Sequence, residues 1–167
     1  MHRSSRLHEV TAELKPNLKC HETFPVDCLP KTYQSKETIS LGYREKGHAI
    51  VVLSSTSCES CLPALEALDE YQHLAEFAGI NCTLIADGPY DALETIRIAF
   101  EPRIQVVEMP VFEIADKLKS TAMPWIYALD QDGTVVSSAP FNTLQQAREL
   151  CLPVIRKNPE ISEIEIT

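Results

Sequence analysis

Cys58-Glu59-Ser60-Cys61 is the part of this sequence best equipped for chemistry. Two cysteines at this spacing can cycle between dithiol and disulfide, or they can supply half the ligands of a tetrahedral metal site. The flanking residues favour the first use. A β-branched segment, His48-Ala49-Ile50-Val51-Val52-Leu53, precedes the pair, followed by the small-residue turn Ser54-Ser55-Thr56-Ser57. Leu62, Leu65, Leu68, Tyr71, Leu74 and Phe77 follow at helical spacing. A helix is therefore expected from Cys58 to about Phe77, with the cysteines in its first turn and Gly79 in a left-handed position after its end. Pro63 fits there, because a first-turn N–H has no intrahelical acceptor. Unpaired N–H groups and the positive end of the helix dipole favour thiolate over thiol at such a place.

The other candidate ligands and nucleophiles are weaker. Cys82 lies in an apolar strand-like run and Cys151 on an apolar helical face, so both read as buried packing residues. Cys20 and Cys28 flank Pro25; a structural bridge and two free thiols both remain open. Copper or zinc held by Cys58 and Cys61 would need further ligands, for which His48, His73, Cys20, His21 and Cys28 are the candidates. A peroxidase would need a Pro-x-x-x-Thr/Ser-x-x-Cys frame. Ser55 matches it, but Val51 occupies the proline position, and an arginine would have to come from Arg97 or Arg103.

The elements that must position the pair follow from periodicity and punctuation. A short helix is expected around His8–Leu14, then extended segments and turns from Phe24, ending in a strand at Thr38–Leu41. Gly42 and Gly47 bracket a charged turn before the central strand at 48–54. After the Cys-x-x-Cys helix come a strand at Asn81–Ala86 and a helix at about Tyr90–Phe100 with Leu93, Ile96, Ile98 and Ala99 available for its apolar face. A strand at Ile104–Val107 and a helix at Val111–Leu118 lead to Met123-Pro124. Trp125–Leu129 and Thr134–Ser137 flank Asp130-Gln131-Asp132-Gly133, a hairpin signal. A helix at about Thr143–Arg156, capped by Thr143 or Asn142, closes the chain. Alternating strands and helices followed by a hairpin imply a mixed sheet covered by helices, with ligands gathering at the carboxyl ends of its parallel strands.

Composition bounds these possibilities. At 167 residues the chain suits one well-cored domain, and 44% hydrophobic with 23% charged content is that of a globular protein. No segment approaches the ~18 uninterrupted apolar residues of a membrane span. A net charge of −9 argues against nucleic acid as a partner. The charge is uneven: residues 1–48 carry eight Lys/Arg against six Asp/Glu, and the rest seven against eighteen. The basic start Met1-His2-Arg3-Ser4-Ser5-Arg6 is followed by no apolar stretch. A complete chain would thus be cytoplasmic; one that has lost a leader or anchor would be membrane-tethered and extracytoplasmic.

With these elements in place, the chain resembles the thioredoxin superfamily, and within it the TlpA-like thiol-disulfide oxidoreductases of cytochrome maturation and methylamine utilisation. The resemblance rests on Ile50–Leu53 leading into Cys58-Glu59-Ser60-Cys61 and on Met123-Pro124 followed by the Trp125–Val135 hairpin. It rests also on a stretch before Pro124 long enough for the extra strand and helix of that branch. It implies a thioredoxin-like α/β fold of three layers over residues 24–156, with 1–23 an N-terminal extension and 157–167 an acidic tail. It implies further a cis Pro124 and catalytic Cys58 and Cys61. Met123 and Pro124 would bind substrate, Met123 offering its main chain to a peptide as an added strand. Its side chain reads equally as core packing. The partners would be a protein thiol or disulfide and an upstream electron donor, with no cofactor and no resident metal. Val52 and Ala64 stand where relatives place proton-relaying carboxylates, leaving Glu59 or Glu66 as substitutes or as plain surface residues. Glu59 opposes the helix dipole at Cys58, and a weakly stabilised thiolate makes a reductant the expected direction. The alternative is a metal-binding or redox-inactive interaction module on the same fold.

Overall fold

Strand β3, His48–Ser55, is buried at all eight positions, and a strand buried on both faces must be covered on both sides. In the computed structural model, which describes residues 17–32 and 35–155, it is the middle of a five-stranded sheet. The other members are β4 (Cys82–Asp87), β5 (Gln105–Glu108), β6 (Trp125–Asp130) and β7 (Val135–Ala139), in the order β5-β4-β3-β6-β7. The β3/β4 and β4/β5 pairs are parallel, while β3/β6 and β6/β7 are antiparallel. A small antiparallel pair, β1 (Cys28–Pro30) and β2 (Thr38–Ser40), forms a separate two-stranded sheet.

Alternation along β3 divides the core in two. Ile50 and Val52 pack with Ala64 and Leu68 of helix α2 (Cys61–Gln72), Leu93 and Ile96 of α3 (Tyr90–Phe100) and Ala147 and Cys151 of α5 (Leu144–Ile155). Ala49, Val51 and Leu53 face Phe24, Leu41, Tyr127 and the inner residues Ile114 and Leu118 of α4 (Val111–Leu118). The result is the expected three-layer arrangement. The strand and helix expected between β4 and Pro124 are β5 and α4. Short helix α1 (Tyr43–Lys46) occupies the charged turn between Gly42 and Gly47, both left-handed. The final helix is capped as expected, Gln146 N–H donating to Thr143 Oγ1 at 3.2 Å. No helix among the described residues is long and apolar enough to cross a membrane.

Three expectations need correction. Helix α2 begins at Cys61, three residues after Cys58, because the Pro63 ring would clash with the Glu59 carbonyl in a continued α-helix. Residues 58–60 instead form tighter turns, with Cys61 N–H donating to Cys58 O at 3.1 Å and Leu62 N–H to Glu59 O at 3.4 Å. The same helix stops at Gln72, not Phe77. A 3-10 turn at Ala75–Gly79 then folds Phe77 back onto Tyr71 with ring centroids 4.9 Å apart, and Gly79 has no left-handed backbone. On α3 the inner face is Leu93, Ile96 and Phe100, while Ile98 is 82% exposed and Ala99 is exposed too. Positions 93, 96 and 100 hold a 3.6-residue period that 98 breaks. The expected helix at His8–Leu14, Arg156 and the acidic tail 157–167 lie outside the described residues.

Candidate active site

The carboxyl end of β3 sets the site. After Ser55 the chain turns, held by Thr56 N–H to Asp87 O at 2.9 Å and Cys58 N–H to Ser55 O at 3.2 Å. This tie to β4 places Cys58 at the edge of the sheet where the parallel strands end. Cys58 is half-buried and Cys61 is 1% exposed, so one cysteine is partly open to solvent and the other is not. Ser60, at the N-cap of α2, makes no side-chain capping bond. The first N–H groups of the helix are thus not satisfied by a Ser60 cap.

A second segment reaches the same place from the amino end of β6. The Met123–Pro124 peptide is cis, and the Cys58 thiol donates to Met123 O across 3.8 Å. Met123 divides its roles: its side chain packs on the core cluster containing Leu53 and Tyr127 while its carbonyl meets the sulfur. Beside them lies a groove of about 290 Å³ lined by Ser60, Met123, Pro124, Pro140, Phe141 and Asn142. The four residues singled out from sequence, Cys58, Cys61, Met123 and Pro124, therefore converge. A second X–Pro bond, Glu101–Pro102, is also cis and had no expectation attached to it.

Electrostatics act on the buried sulfur. Burial and the hydrogen bond with Cys58 push the Cys61 thiol up to about 11, while the Ser55 N–H, 3.5 Å from its sulfur, and the Ser54 hydroxyl pull the other way. None of the carboxylate positions named above reaches this sulfur. Val52 is buried apolar packing, Ala64 is buried beside it, and Glu59 and Glu66 are both exposed on the surface. Among the described residues no group of three His, Cys, Asp or Glu side chains could hold a metal ion. His48 is buried on β3, its Nε2 accepting from Asn81 N–H at 3.0 Å, and His73 hydrogen-bonds Asp69 O. Cys20 and Cys28 are exposed free thiols. Cys82 and Cys151 are buried, and burial drives both thiols up, Cys151 to about 12.

The residues that fasten the Met123 segment carry no local signal of that role. Asn17 Oδ1 accepts from Thr121 N–H at 3.1 Å and Ala122 N–H at 2.8 Å, and its Nδ2 donates to Ala122 O at 3.2 Å. Ser120 Oγ lies 2.6 Å from the Tyr127 hydroxyl, which also accepts from Leu18 N–H at 2.9 Å. The contacts made by Asn17 and Leu18 span more than 100 residues of chain, and no local pattern announces them.

Comparison with solved structures places this architecture. The chain is similar to StoA from Bacillus subtilis (16% identity over 77% of this chain and 98% of that one, TM-score 0.59). It is similar to a protein assigned as the thiol:disulfide interchange protein DsbE from Chlorobium tepidum (12% identity, 83% and 99%, TM-score 0.64). A third is the thioredoxin domain of a thiol-disulfide oxidoreductase from Bacteroides vulgatus (16% identity, 80% and 97%, TM-score 0.56). No protein-family model and no curated protein matches the chain. At these identities the likeness shows the fold, and the fold is thioredoxin-like.

Proposed function

We propose that the chain is a thiol-disulfide oxidoreductase acting on protein disulfides. The observation that carries this reading is the meeting of an accessible Cys58, a buried Cys61 and the carbonyl before cis Pro124 at one sheet edge. Cys58, as thiolate, attacks one sulfur of a substrate disulfide; a Cys58–substrate bond forms, and the other substrate sulfur leaves as thiolate and is protonated by water. Cys61 then loses its proton and attacks Cys58. The Cys58–Cys61 disulfide forms, the second substrate thiolate departs, and the protein has given up two electrons. An upstream dithiol donor returns it to the reduced state.

Met123 and Pro124 bind the substrate in this account. The Met123 main chain pairs with an extended peptide as an added strand, and the groove beside Ser60 and Phe141 receives its side chains. The reductant direction is supported by the balance at the site. Glu59 lies beside Cys58 in the motif, and a carboxylate next to the attacking sulfur favours giving electrons up over taking them. The test is stoichiometric: the pre-reduced protein, mixed with a protein disulfide, should reduce one disulfide per molecule and become oxidised at Cys58–Cys61. Unchanged activity in Cys58→Ser would move the chemistry elsewhere, with Cys20 and Cys28 next in line.

A further inference from the structure

Ser54 is the last residue on its face of β3 before the turn that carries Cys58. It shares its face of the strand with Ile50 and Val52, the face that packs on α2, where Cys61 begins the helix. It is 1% exposed, and its Oγ is buried without a hydrogen-bond partner. A buried hydroxyl left unpaired is unfavourable, and native structures rarely keep one without a use. Its neighbour Ser55 already directs a backbone N–H at the Cys61 sulfur from 3.5 Å. Ser54 itself acts on Cys61 in the sense that favours its thiolate.

We infer that the Ser54 hydroxyl, with the Ser55 N–H, forms a two-donor site for the buried Cys61 thiolate, where positions 52 and 64 hold Val and Ala and no carboxylate. The inference rests on the dithiol reading above. In the reduced protein the hydroxyl is near enough to act on Cys61 but makes no well-formed hydrogen bond. When Cys61 gives its proton to water in the resolving step, the hydroxyl rotates toward the sulfur and donates. Ser54 keeps its own proton throughout: the S–H bond of Cys61 breaks, the Cys58–Cys61 bond forms, and the substrate thiolate leaves. Cys58 is the titratable neighbour of Cys61 on its own turn. From β4, Ala86 pairs with Ser54 and the Asp87 carboxylate lies 3.5 Å from Ser55 Oγ; from β6, Ile126 and Trp125 pair with Val52 and Leu53.

A chromogenic aryl disulfide separates the two steps, because attack by Cys58 releases one aryl thiolate and resolution by Cys61 releases the second. Ser54→Ala should leave the first release unchanged and slow the second roughly 10-fold or more, the loss expected for a hydrogen bond to a charged group. Its pH profile should move to higher pH, and Ser54→Thr should restore most of the rate. The reduced Ser54→Ala protein should be as stable as the parent or more so, because an unpaired hydroxyl has been removed; a purely structural serine would show the reverse pattern. An unchanged second release in Ser54→Ala overturns the inference while leaving the dithiol reading standing. Failure of the unsubstituted protein to release a second thiolate overturns that reading. Direct titration of Cys61 in a Cys58→Ser background then decides Ser54 alone: a higher Cys61 pKa on adding Ser54→Ala supports the donor role, and an unmoved one refutes it.

Discussion

Replacing Asn17 by alanine should loosen the segment that presents the Met123 carbonyl while leaving both cysteines untouched. Asn17 is 5% exposed and holds Thr121 and Ala122 by three hydrogen bonds of 2.8 to 3.2 Å. A typical net contribution is about 1 kcal/mol per bond, and a buried donor left unpaired adds about 1–3 kcal/mol. Thr121 is exposed and regains water, whereas Ala122 is half-buried, so the penalty falls mainly on Ala122 N–H. The expected loss is about 2–3 kcal/mol, within the ~5–15 kcal/mol by which domains are stable, so the variant folds. Urea unfolding gives the stability change, and turnover on a protein disulfide compared with a small aryl disulfide gives the functional one. In the proposed binding mode a protein substrate uses the Met123 main chain and a small one does not, so only the first rate should fall. Asn17→Asp keeps the acceptor for both N–H groups and should lie between the two. A stability change under about 0.5 kcal/mol, or equal losses on both substrates, would refute the positioning role.

The protein should lose stability in mild acid through His48. Burial holds its pKa below the usual 6.5, against the opposing pull of the Lys46 carbonyl, and its Nε2 must stay unprotonated to accept from Asn81 N–H. With the folded pKa depressed, this contribution is complete above 6.5 and declines as pH falls below it toward the folded value. Urea midpoints between about pH 7.5 and 5.5 should drop in the parent and change less in His48→Gln; parallel curves would exclude His48. Gly133 closes the β6–β7 turn at φ 78°, and a Cβ there would come within 2.8 Å of the Tyr43 ring. Gly133→Ala should therefore destabilise by more than about 1 kcal/mol, from the left-handed backbone alone, and a smaller change in the unfolding midpoint would refute that backbone cost.

Much of the fold was legible because its elements announce themselves locally. The all-apolar β3, the amphipathic run of α4 and the Asp-Gly turn, where Asp130 Oδ1 accepts from Asp132 and Thr134 N–H, each follow from a few adjacent residues. The start of α2 was misplaced because leucines at helical spacing outweighed Pro63, whose ring sets the true start. Ile98 was misassigned because an apolar residue one step off the stripe reads as part of it. The candidate site was legible as motifs, since Cys58, Cys61, Met123 and Pro124 are each marked by sequence context. Its supports were not. Asn17 sits 104 residues from Thr121, and Ser54 is marked only by burial and by a hydroxyl with no partner, both of which need coordinates.

The central claim is that Cys58 attacks and Cys61 resolves, and one measurement bears on it most directly. The Cys61→Ser protein, reduced and mixed with an oxidised protein substrate, should stop at the first step because resolution is blocked. Digestion and mass spectrometry should find the substrate joined through Cys58, and a reductant should release it. A covalent adduct through Cys20 or Cys28, or no adduct while the parent protein still reduces the same substrate, would contradict the account.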